Sequence, residues 1–125
     1  MSDNPTTPDL DLSFLYDIAD GSNEFVIESI DMLLQQAPAS LQEIDDSIKK
    51  QDWVTAAAAA HKLKPSMGFF GMLISQELLQ EVEQLCKAGG QEPGQIAEKF
   101  NQANEIIVAN LESLIRIKAE KEAGL

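Results

Sequence analysis

Hydrophobic positions recur along this chain in steps of three and four, and nowhere do they alternate as a strand requires. Between about residues 23 and 50 the run is Val26, Ile30, Leu33, Ala37, Leu41, Ile44 and Ile48, one face of a helix. Pro38 interrupts it, and Ser40-x-x-Glu43 offers a capping box for a restart. The stripe nevertheless keeps phase across the proline, which predicts one long kinked helix. Asp52 is placed to cap the next helix, with Trp53, Ala56, Ala60, Leu63, Met67 and Phe70 inward and Gly71 as its stop. A further helix from about 72 to 88 carries Ile74, Leu78, Val82 and Leu85 inward and ends at Gly89-Gly90. After Glu92-Pro93-Gly94 the last helix buries Ile96, Phe100, Ala103, Ile107, Leu111 and Leu114, then fades into charge near 118–122. Ahead of all these, Asp9 or Asp11 caps a short helix with Leu12, Leu15, Tyr16 and Ile18, and Asp20-Gly21-Ser22-Asn23 closes it. The prediction is an all-α protein: an antiparallel four-helix bundle with a short additional N-terminal helix. It is expected to be one domain over residues 9–122, after a flexible polar tail at 1–8.

The stripe of the third helix also fixes what points away from it. Val54, Ala57, Ala58, His61, Lys64, Pro65 and Gly68 share another face. His61, the only histidine, is therefore expected to stand clear on a shelf of small side chains with a lysine one turn on. Pro65 removes a backbone N–H and clashes with the carbonyl of residue 61, so a local kink is expected there. Taken singly these features are ordinary: a lone histidine is usually a surface or satisfied core residue, and alanines are good helix formers. Their combination is what points to chemistry.

Composition narrows the classes. With 44% apolar residues in 125, the chain has enough to bury one core. Its 21 acids against nine bases give a net charge of −12, which excludes nucleic-acid binding through phosphate neutralisation. No apolar stretch approaches the roughly 18 residues of a spanning helix, and no secretory signal opens the chain, so no membrane partner and a cytoplasmic location are expected. The single Cys86 allows no internal disulfide and sits beside an inward stripe, as a small core residue would. No Gly-rich phosphate loop or kinase motif is present, so autonomous ATP use is not expected. Di-iron bundles use Glu-x-x-His pairs, but Ala58 stands three before His61, and Glu77 and Glu81 read as solvated charges. No cofactor or metal is expected, and a monomer is, since most apolar residues fit one bundle.

The run His61-Lys62-Leu63-Lys64-Pro65-Ser66-Met67-Gly68-Phe69-Phe70-Gly71 resembles the motif of the histidine-containing phosphotransfer domain family, approximately H-x-L-K-G-[SA]-x-x-x-x-G. It matches at the His, the Leu two on, the Lys three on, the Ser five on and the Gly ten on. The opening DLSFLYDIADGSNEFV, a long helix and a Trp-containing turn before the His helix are similar to the family's layout, so the resemblance spans the chain. It departs at Pro65, where many members carry Gly.

The resemblance implies a phosphorelay carrier without kinase activity of its own. His61 would accept a phosphoryl group on Nε2 from a receiver-domain aspartate and pass it to another receiver, with Nδ1 held by a hydrogen bond or water. The imidazole supplies a neutral nucleophile near neutral pH, and Lys64 would neutralise the phosphoryl oxygens. Lys62 points around the helix and is the weaker candidate. The implied partners are response-regulator receiver domains and a hybrid sensor kinase. Docking candidates are Leu15, Phe25, Met32 and Phe69, with Ala57, Ala58, Pro65 and Gly68 around the ring. Leu15 and Phe25 have an equal alternative, packing around the short first helix. The rival reading of the whole is a helical-bundle adaptor whose histidine is incidental. A His61 buried and hydrogen-bonded inside the bundle would favour that rival.

Overall fold

The computed structural model describes residues 9–124, so the predicted tail at 1–8 lies outside the described residues. Five helices follow in order: α1 Ser13–Ala19, α2 Asn23–Lys49, α3 Trp53–Phe69, α4 Leu73–Lys87 and α5 Pro93–Ala123. No strand occurs among the described residues. Helices α2 to α5 pack in a closed ring, α2 on α3, α3 on α4, α4 on α5 and α5 back on α2, while α1 lies against α2. Connections at 50–52, 70–72 and 88–92 are too short for anything but antiparallel neighbours.

The stripes read in α2 and α5 are buried throughout. Ser22 caps α2 by accepting the Phe25 N–H at 3.1 Å, and Glu24 and Lys49 sit at the ends the helix dipole favours. Pro38 is exposed within one continuous helix, so its missing N–H falls on the solvent side. Across the bundle, Lys118 of α5 reaches Asp31 of α2 at 2.8 Å, and α5 continues through the charged 118–122 stretch instead of fading.

Two expectations shift. On α4 the buried positions are Ser75, Leu79, Val82, Glu83 and Cys86, whereas Ile74 is 55% exposed and Leu78 and Leu85 sit at the margin. Apolar residues occur on both candidate arcs of this helix, so periodicity alone did not choose between them. On α3 the alanines are mostly packing: Ala56, Ala57, Ala59 and Ala60 are buried and only Ala58 is exposed. Flanked by both α2 and α4, α3 needs an apolar arc wider than one stripe. Methyl side chains there let its neighbours approach closely.

Two glycines are required by geometry. Gly71, at φ +70°, turns α3 into α4, and a Cβ there would sit 2.1 Å from the carbonyl oxygen of Asp11. Gly90, at φ +67°, carries the Trp53 indole, whose ring would lie 2.1 Å from a Cβ. Asp11 holds Ser13 at the start of α1, accepting from its N–H and hydroxyl. Asp9 serves a different helix: its carboxylate accepts the N–H groups of Ile74 and Ser75 at 2.8 and 3.0 Å and the Asn110 amide at 2.7 Å. It thereby caps α4, whose own N-cap residue Met72 has no side-chain acceptor. No helix among the described residues is long and apolar enough to cross a membrane.

Candidate functional site

His61 lies midway along α3, and its side chain is 66% exposed. It does not take the interior position that would have favoured the adaptor reading. A polar contact ties the ring to α4: Nδ1 is 3.0 Å from Glu83 Oε2. Glu83 is only 2% exposed, an acid in the wall between two helices.

Burial pushes the Glu83 carboxyl up, but hydrogen bonds and charge from Lys64 and Lys87 outweigh it and hold the group at about 2. Lys64 Nζ lies 2.6 Å from Oε1 and Lys87 Nζ 2.8 Å from Oε2. An ionised carboxylate can only accept. The imidazole must then donate from Nδ1, and the neutral ring is the tautomer with its lone pair on Nε2. An exposed ring with a fixed tautomer and a free nucleophilic nitrogen is the chemical content of this site.

The two lysines are unlike. Lys87, one turn beyond Glu83 on α4, is 64% exposed. Lys64 is 17% exposed and also donates to the Gln80 side-chain oxygen, so it rests on α4 instead of standing free beside the ring as the sequence suggested. Glu83, Lys87 and Gln80 escaped the sequence reading. A Glu between Val82 and Gln84 gives no periodic signal of burial. The available hint was its place one position from the stripe residue Val82, in the helix adjoining that of His61.

Pro65 does not end α3, which runs on to Phe69. It supplies no N–H to the carbonyl of His61. One turn beyond, Gln76 of α4 lies over Gly68, its Nε2 2.7 Å from where a Cβ would be, and donates to the Lys64 carbonyl at 3.4 Å. Gly68 therefore faces α4 and is a close-contact residue of the bundle, a correction to its reading as docking surface. Leu15 is corrected too: it is 0% exposed, in the core under α1. So is Ala57, at 4%, which the width of the α3 contact buries. Ala58 and Pro65 are exposed beside the ring.

Phe25 at 37% and Met32 at 71% are exposed on α2. With Pro65 and Phe69 of α3 they line one groove between the two helices, so structure brings together four of the residues singled out. Phe69 is steadied there by edge-on contacts with Phe14 and Phe70. A second groove, between α3 and α4, holds Trp53, Val54 and Ala58 beside His61. Cys86 is 3% exposed, and burial raises its thiol to about 11, so it is an inert core residue.

The sequence model of the Hpt domain matches residues 28–120 of the chain. Among solved structures, the HPT domain from the Hpt sensor hybrid histidine kinase of Shewanella superposes with a TM-score of 0.67 at 21% identity. The match covers 89% of this chain and 94% of that one, and at such identity it speaks for the helical-bundle fold. No curated protein sequence matches.

Proposed function

Because the chain belongs to the Hpt domain family, we propose that it is a phosphorelay intermediate, accepting a phosphoryl group on His61 from a receiver-domain aspartate and passing it to another receiver. The observation that carries this reading is an exposed imidazole whose Nδ1 is held 3.0 Å from a buried, ionised carboxylate. The Nε2 lone pair forms the N–P bond as the P–O bond to the donor aspartate breaks, leaving that aspartate as a free carboxylate. No proton moves. The ring keeps its Nδ1 proton and becomes a cationic phosphoimidazolium, which the Glu83 charge stabilises. Because the ring remains a good leaving group in this form, the reverse transfer to a second aspartate stays accessible.

Lysine charge around Glu83 offsets the incoming phosphoryl oxygens. The receiver brings the remaining machinery, so the chain acts as a carrier and not as a kinase. The groove of Phe25, Met32, Pro65 and Phe69 serves as the receiver's apolar footing, close to the ring through Pro65. On this reading the carrier works as a cytoplasmic monomer, drawing on a hybrid sensor kinase or a separate receiver as its donor.

The test is incubation with a phosphorylated receiver domain. The wild-type protein gains an acid-labile, alkali-stable label, and His61→Gln, at a mostly exposed position, stays folded and gains none. Undiminished labelling of that variant refutes the assignment.

A further inference from the structure

We infer that Lys87, not Lys64, is the cation that meets the transferred phosphoryl group, and that Gln80 is a positioning residue that keeps Lys64 on Glu83. This rests on the relay reading above and deepens it.

Lys64 is tied down along its length. Its ammonium bonds Glu83 Oε1 at 2.6 Å and the Gln80 side-chain oxygen, and its own carbonyl accepts from Gln76 at 3.4 Å. Only 17% of the side chain meets solvent. Moving to a phosphoryl group on Nε2 would break both ammonium contacts and leave the buried Glu83 Oε1 without its cation. Among the described residues Lys87 has one anionic partner, Glu83 Oε2 at 2.8 Å, the very oxygen that accepts from His61 Nδ1. Ammonium and ring are therefore neighbours across a single atom. At 64% exposure the Lys87 head can leave that oxygen without being stranded.

Charge balance selects the same lysine. Before transfer Glu83 is matched by two ammonium groups and a neutral ring. After transfer the ring itself is cationic and still donates to Oε2, so Glu83 keeps Lys64 and the imidazolium while Lys87 becomes surplus. The new phosphoryl oxygens are the nearest unmatched negative charge. Lys62 lines the same α3–α4 groove, but it projects about 100° around the helix from the histidine and, unlike Lys87, shares no acceptor with the ring among the described residues.

The experiment follows lysine Nζ resonances by ¹⁵N-edited NMR while His61 is phosphorylated with phosphoramidate, a small phosphoryl donor, assigning them with Lys64→Arg and Lys87→Arg. The Lys87 resonance is expected to move and that of Lys64 to stay. Movement of Lys64, alone or together with Lys87, overturns the inference. In transfer from a phosphorylated receiver, Lys87→Met is expected to slow labelling at least tenfold with the ring tautomer unchanged, and a wild-type rate overturns the assignment. Adding Gln80→Leu to Lys87→Met frees Lys64 and restores part of the rate; a double variant no faster than Lys87→Met removes the role given to Gln80. Absence of any label on wild-type His61 overturns the relay reading itself, whereas label with an unmoved Lys87 resonance overturns this inference alone.

Discussion

Glu83 Oε2 and His61 Nδ1 lie 3.0 Å apart across the α3–α4 seam, and the acid is 2% exposed while the imidazole side chain is 66% exposed. A buried group thus sets the chemistry of an exposed one. The ionised carboxylate leaves the ring a single neutral tautomer, and the transferable position follows from that.

Replacing Glu83 with alanine is expected to free the tautomer and slow phosphotransfer roughly 10- to 100-fold, the scale seen where a carboxylate orienting a metal-binding histidine is removed. Ring ¹⁵N shifts will report a mixture of Nδ1–H and Nε2–H forms in place of one. A variant that keeps a pure Nδ1–H ring would show that something other than Glu83 fixes it.

Acid should weaken the fold through the same residue. Glu83 has an ordinary value of 4.5 and a folded value of about 2, so folding favours its charged form. Its contribution is complete above about pH 5 and is lost as pH falls through the folded value, for a total on the order of 3 kcal/mol. Urea melts between pH 2 and 6 should therefore show a shallower loss of stability in Glu83→Gln than in the wild type. Identical slopes would contradict the assigned shift.

At the far end of α4, Gly90→Ala is expected to cost about 2–4 kcal/mol, from the positive φ and from displacing the Trp53 ring. Trp53 is the only tryptophan, so its emission will report the change directly. A variant with the parental melting temperature and an unshifted spectrum would mean the indole can move away at no cost.

On the docking groove, Met32→Asp should leave stability within about 0.5 kcal/mol, since the side chain is 71% exposed. The KM for a phosphorylated receiver is expected to rise about tenfold, the scale of losing one apolar anchor, with little change in kcat. An unaltered KM would place the receiver elsewhere, with the α3–α4 groove at Trp53 and Val54 the next surface to probe.

Much of this protein was determined by its linear sequence. The stripes of α2 and α5, the caps Ser22 and Asp52, and the placement of His61 off the inward face of α3 all follow from spacing within a turn or two. Such spacing fixes which side of a helix an atom occupies, whatever lies opposite. What lies opposite was decided only in three dimensions. Glu83 comes to His61 from 22 residues away and Asp9 to Ser75 from 66, and neither pairing leaves a periodic trace. The rotation of α4 that buries Glu83 and exposes Ile74 depends on how closely α3 and α4 approach, through Gly68 and the alanines. Helical period reports one helix at a time. The burial of a charge depends on the cations that a second helix brings to it.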